Sequence, residues 1–169
     1  MAKNVNTATP IKVEHHAEAQ FMGIRFIHPF AGMHKETDNV KKELEAWFKA
    51  RGIQPTGPPI LRYYCIDMRG KMELEYALPV EALLAGDDRV KPSTLPAGTY
   101  TSLIYSGGGY QGNKTLIEGS RAMGLEFDRW DTEEGDNFRS RYERFLTDPK
   151  VEHRKTKWEI EVAIKLVDE

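Results

Sequence analysis

The octapeptide Lys71-Met72-Glu73-Leu74-Glu75-Tyr76-Ala77-Leu78 returns later in the chain as Lys157-Trp158-Glu159-Ile160-Glu161-Val162-Ala163-Ile164. Lys, both Glu and Ala keep their places, and the remaining positions exchange one apolar residue for another. Both copies alternate apolar and polar with period two, the pattern of a half-buried β-strand. A duplicated unit must bury the same face twice, so the repeat demands two similar halves around related cores.

The order of elements agrees. Residues 11–14 and 20–28 read as strands, and residues 29–32 break the pattern. From Thr37, the spacing of Val40, Leu44, Trp47 and Phe48 predicts a helix that stops at Gly52. Residues 60–68 and 71–80 form an expected hairpin across Arg69-Gly70. The second half starts after Pro96. A strand over 100–105 is followed by Gly107-Gly108-Gly109, then by a short helix marked by Leu116, Ile117, Ser120 and Met123 that ends at Gly124. A polar stretch, 131–137, leads to residues 142–146, a Thr147-Asp148-Pro149 turn and a last strand over 158–167. Each half reads strand, helix, strand, strand. The fold class is α+β: duplicated β-α-β-β modules with pseudo-twofold symmetry, half-modules of about 11–90 and 91–169 in one domain, and a flexible segment over 1–10. The helices are expected on one face of the antiparallel sheet, with the other face free to form a groove.

Composition narrows the function classes. The 24 Lys and Arg are balanced by 26 Asp and Glu, so a phosphate-backbone partner is not expected. The one cysteine, Cys65, excludes an intramolecular disulfide. No apolar run approaches the roughly 18 residues of a membrane span, and no signal-peptide core opens the chain. A cytoplasmic location is the expectation.

Three groups of residues carry candidate chemistry. In each repeat strand the acids share a face: Glu73, Glu75 and Ala77 lie opposite Met72, Leu74, Tyr76 and Leu78, and Glu159, Glu161 and Ala163 lie opposite Trp158, Ile160, Val162 and Ile164. Such a face commonly meets water. Aromatic residues are available to wall a groove instead: Tyr63, Tyr64, Tyr105, Tyr110, Phe127, Trp130 and Tyr142. A carboxylate between such walls attracts an organic cation through charge and through the ring quadrupoles. The stretch 107–115 has the strand-to-helix setting of a phosphate loop, but Asn113 separates Gly112 from Lys114, so a glycine-rich turn is the better reading. Of the five histidines, only His28 and His34 are close with spacing to spare; they flank a turn, no Cys or acidic pair completes a set, and no metal site or cofactor is expected.

Taken together, Leu95-Pro96-Ala97-Gly98-Thr99-Tyr100, Tyr142-Glu143-Arg144-Phe145-Leu146-Thr147-Asp148-Pro149 and the final Trp158-x-x-Glu161 strand resemble the GyrI-like small-molecule-binding family. This module also serves as the effector-binding domain of AraC-type and multidrug-responsive bacterial regulators. The resemblance runs from about Ile11 to the end of the chain. It implies a ligand groove between two β-α-β-β modules, with the residue matching Glu161 at its base and Tyr142 at an aromatic position. Glu75 is nominated by the internal repeat alone. The function implied is binding of a small aromatic or cationic, amphipathic molecule as a sensor or sequestering protein, with Tyr64, Tyr105, Tyr110, Phe127 and Trp130 as candidate walls. Two alternatives follow from the same resemblance: hydrolysis of strained electrophiles with Glu161 as general base, and inhibition of a gyrase-like protein partner. The oligomeric state is left open, and no direct nucleic-acid binding is expected.

Overall fold

Strand pairing turns the repeat into visible symmetry. The computed structural model describes residues 7–169. β1 (Thr7–Ala8), β2 (Lys12–His16) and β3 (Ala19–Pro29) precede α1 (Met33–Arg51), and β4 (Ile60–Ile66) and β5 (Lys71–Pro79) follow it. β6 (Lys91–Leu95) and β7 (Gly98–Ser106) precede α2 (Gly109–Ala122). A hairpin of β8 (Arg129–Thr132) and β9 (Gly135–Phe138) then leads to β10 (Arg141–Phe145) and β11 (Ile160–Lys165).

All the strands join one curled antiparallel sheet in the order β1-β7-β11-β10-β4-β5-β3-β6. The first half supplies β4-β5-β3 and the second supplies β10-β11-β7, and the two meet at the β4–β10 seam. The strand that leads into each half crosses to the other: β2 pairs with β7, and β6 pairs with β3. The architecture is α+β with duplicated β-α-β-β modules, as the repeat requires.

Register makes the correspondence residue by residue. Glu75 faces Arg62 across β4 and β5, and Glu161 faces Arg144 across β10 and β11. The same alignment makes Leu61 the mate of Glu143, Tyr63 the mate of Phe145, and Phe26 the mate of Tyr105. It also matches Leu95 with His16.

Each helix seals its own half. Val40, Leu44 and Phe48 of α1 pack on Met22, Ile24, Leu74 and Tyr76, and Leu116 of α2 packs with Leu103, Val162 and Ile164. The face opposite the helices is not free, contrary to the sequence-based expectation. Phe21, Ile60, Ala77, Leu95, Tyr100, Tyr142 and Ala163 form a third core there, across the seam. The exchange of leading strands explains it, because β6 carries Leu95 onto this face. A broad groove lies instead on the helix side.

Element boundaries differ where glycine or side-chain bonding outweighs periodicity. α1 starts at Met33 after Gly32 (φ 79°), and Thr37, expected at the helix start, instead donates its hydroxyl to the Met33 carbonyl (2.8 Å) inside the first turns. α2 starts at Gly109, well before Leu116. Added side-chain bulk at Gly112 would overlap the Tyr105 ring, so the absence of a side chain lets the helix close onto β7. The polar stretch over 131–137 is largely the β8–β9 hairpin, whose Asn137 and Asp136 pair with Cys65 and Ile66. Of the segment expected to be flexible, residues 1–6 lie outside the described residues, and Thr7 and Ala8 pair with Ser106 and Tyr105.

Candidate functional site

A cavity of about 1090 Å³ runs between α1 and α2 over the seam, with walls from both halves. Its size is at the upper end of ordinary ligand pockets. Leu61 and Tyr63 of β4, Met72, Tyr76 and Leu78 of β5, and Arg141, Glu143 and Phe145 of β10 are part of its floor and sides. Phe30, Met68, Tyr110 and Leu146 line it while largely exposed, which gives the groove an apolar mouth.

The polar centre of this groove is Glu143, a buried carboxylate at mid-strand. Tyr63 donates its hydroxyl to Glu143 Oε1, and Tyr105 donates to Oε2. Burial first, and the adjacent carboxylate second, push both phenols far above their ordinary range, so they stay protonated and keep donating. Hydrogen bonds to a charged acceptor contribute about 1.5–3 kcal/mol each, which holds the carboxylate in one orientation. Gly109, in the first turn of α2, lies against the Tyr105 hydroxyl, so the helix start closes one side of this cluster.

Two residues before Glu143 on the same strand face is Arg141. Its Nη2 donates to Asn113 Oδ1 of α2 (2.9 Å), and its guanidinium lies 4.7 Å from the Phe138 ring centre. Burial weakens its hold on the proton, partly offset by Tyr63 and Glu143. Its Nε is buried without a hydrogen bond among the described residues. The groove floor therefore carries an anion and a cation on one strand, beside an apolar wall.

The eight residues nominated from the sequence fall in several places. Tyr105 and Tyr110 line the groove, Tyr105 at the carboxylate and Tyr110 at the mouth. Glu161 and Tyr142 line a separate cavity of about 310 Å³ with residues of the third core, on the face away from the helices. There Arg144 Nη1 donates to Glu161 Oε1 (3.1 Å). Glu75 and Tyr64 are brought together, but not in the groove. Glu75 is enclosed and accepts from Tyr64 (2.8 Å) and Ser93 (2.8 Å), and the Tyr64 ring carries Arg25 at 3.8 Å and Arg62 at 4.5 Å. A Cβ at Gly23 would come within 2.7 Å of Glu75 Oε2, so that glycine makes room for the carboxylate. Phe127 packs in the core of the second half, and Trp130 is exposed on β8 under Arg139. Neither lines the groove.

Sequence reasoning did not single out Glu143 or Arg141. Both lie in or beside the quoted stretch that begins at Tyr142, where alternation separates Tyr142 and Arg144 from Glu143 and Phe145. That signal identifies two faces without saying which one meets a cavity. Among the described residues, no three His, Cys, Asp or Glu side chains are grouped to hold a metal ion, and no helix is long and apolar enough to cross a membrane.

No family model matches this sequence, and no curated protein is significantly similar to it. Solved structures are similar in fold. EcmrR in its DNA complex superposes with a TM-score of 0.70 at 16% identity, over 97% of this chain and 58% of that one. This chain therefore spans little more than half of that protein. The isolated EcmrR C-terminal domain gives 0.66 at 16% identity, over 95% of this chain and 98% of that domain. SAV2435 bound to tetraphenylphosphonium gives 0.58 at 10% identity, with 94% of each chain covered. The fold is the one that the EcmrR C-terminal domain adopts.

Proposed function

We propose that the chain binds an aromatic or amphipathic cation in the groove between α1 and α2, with Glu143 as the counter-charge. The observation that carries this reading is a buried carboxylate held by two phenol donors at the base of a large, aromatic, apolar-mouthed cavity. Burying an unpaired carboxylate is costly. Tyr63 and Tyr105 reduce that cost without neutralising the charge, and the neighbouring Arg141 is engaged by Asn113 and the Phe138 ring, which leaves the carboxylate open to a guest cation. A lipophilic cation without N–H donors meets charge from Glu143 and quadrupole attraction from the surrounding rings. It is also desolvated cheaply enough to enter through the apolar mouth. In this reading Glu143 takes the part that the repeat and the family resemblance assign to Glu161. The likeness to a protein bound to tetraphenylphosphonium supports the choice of ligand class.

Calorimetric titration with tetraphenylphosphonium tests it. Glu143→Gln keeps the shape and removes the charge, and it should weaken binding by ten- to a hundredfold, or about 1.4–2.8 kcal/mol. Tyr105→Phe should weaken binding less, because the carboxylate remains. Glu161→Gln, on the other face, should bind as the wild type does. Equal affinity in wild type and Glu143→Gln would overturn the reading.

A further inference from the structure

The 310 Å³ cavity on the far side of the sheet is a second candidate site, separate from the groove in position and in charge. It is about ten water volumes, at the lower limit for small-molecule pockets. Arg144 and Glu161 form one wall and are joined by a single 3.1 Å hydrogen bond. Among the described residues, Glu161 Oε2 has no hydrogen-bond partner, and both side chains keep part of their surface open, at 29% for Arg144 and 22% for Glu161. The other walls are largely apolar: His16 stacked on Tyr100 with ring centres 4.7 Å apart, Leu95 and Pro96.

The mated pair in the first half shows what a finished arrangement of these residues looks like. Glu75 is 2% exposed and takes hydroxyl donors from Tyr64 and Ser93. Arg62 donates to the carbonyls of Thr94 (2.9 Å) and Arg139 (3.1 Å). By the register, the mates of Tyr64 and Ser93 are Leu146 and Glu14, which supply no such donors. The second copy keeps the acid and the base, lacks the hydroxyl donors to the acid, and sets Arg144 over the Tyr142 ring at 5.1 Å.

We infer that this cavity binds a small zwitterion of amino-acid size, its ammonium group on Glu161, its carboxylate on Arg144, and its apolar side group against Leu95, Pro96 and the His16–Tyr100 stack. Charge count selects the guest. An intact Arg–Glu pair has no net charge, so a singly charged guest must break the pair or leave its own charge unmatched in a half-buried site. A zwitterion adds one partner to each member and produces a closed ring of alternating charges. His16 fits this neutrality, since burial lowers its pKa and keeps the ring uncharged near pH 7.

The test uses L-phenylalanine, phenethylamine and 3-phenylpropionate as probes of one shape and three charge states, followed by amide chemical shifts on the full chain. Saturable binding of L-phenylalanine in the millimolar range is expected, with shifts at Ala17, Leu95 and Glu161. The two singly charged analogues should bind at least tenfold more weakly. Ala17→Phe fills the cavity from an exposed position and should abolish the shifts at an unchanged melting temperature. Three outcomes overturn the inference: equal binding of the three probes, shifts confined to the groove residues around Glu143, or no saturation.

Discussion

The two halves share a backbone plan and differ in the chemistry placed on it. At the positions mated to the groove residues Tyr105 and Glu143, the first half carries Phe26, packed on its core, and Leu61, which lines the groove. The remaining phenol, Tyr63, comes from the first half, and its mate is Phe145. The hydrogen-bonded trio therefore needs both halves, although every one of its positions has an apolar mate. On the far face the contrast reverses. The first half encloses Glu75 with hydroxyl donors, and the second leaves Glu161 beside a cavity. Duplication supplied a frame with two equivalent sides, and function in our reading rests on the positions where the sides stopped matching.

The largest expected effect comes from the far-face acids. Glu75→Ala removes a 2%-exposed carboxylate and strands the hydroxyls of Tyr64 and Ser93 as half-buried donors beside Arg62. With about 1–3 kcal/mol for each stranded group, the loss should be near 3 kcal/mol. Glu161→Ala breaks a partly exposed pair and should cost less than about 1 kcal/mol. Urea unfolding of the two variants measures the difference. Equal losses would mean that the halves are energetically alike despite their different surroundings.

A middle-sized effect separates the two helices. α1 contains no glycine, whereas α2 has Gly112 against the Tyr105 ring and Gly119 beside Ile11. Replacing glycine by alanine inside a helix ordinarily stabilises by up to about 1 kcal/mol. At Gly112 the new methyl would overlap a ring fixed by its bond to Glu143, and overpacking of that kind costs about 1–3 kcal/mol. The steric term wins, so Gly112→Ala should lower stability by roughly 1–2 kcal/mol and weaken tetraphenylphosphonium binding as Tyr105 is displaced. Gly119→Ala meets only the end of a flexible isoleucine and should be nearly neutral. Paired melting curves and titrations decide it. If both glycine variants keep full stability and affinity, α2 does not position the site.

How far the sequence revealed this arrangement follows from the same contrast. Alternation in the repeats and the helical spacing of Val40, Leu44 and Phe48 are long signals, and they gave the strand–helix–strand–strand order twice. Glu143 sits in a five-residue strand, Arg141–Phe145, with polar residues on both faces. A short strand of that composition does not say which face meets the groove. Glu75 and Glu161 stood out because the repeat places them at equivalent positions, on a face that commonly meets water. Here that face carries the third core, and its acids lie opposite Arg62 and Arg144 on neighbouring strands, a placement fixed by register at long range. Gly112 showed the opposite weakness: glycine reads as a breaker locally, and only the ring packed on it explains a helix through that position.

The smallest effect separates His16 from its mate Leu95, and it is read in pH. Burial is the largest influence on His16 and lowers its pKa from 6.5; Arg144 and His15 act in the same direction, and Glu161 and Glu14 oppose them. The folded state therefore favours the neutral ring more than the unfolded chain does. At pH above 6.5 both states are neutral and the burial of His16 is fully effective. As the pH falls below 6.5 the unfolded chain takes up the proton first, and stability declines until the folded form is protonated as well. His16→Leu puts the first-half residue at the second-half position and should flatten this decline. The difference in melting temperature between variant and wild type should shift in favour of the variant from pH 7.5 to pH 5. A difference that stays constant over that range would mean that His16 keeps its ordinary pKa, and that the two mated positions differ in shape but not in charge behaviour.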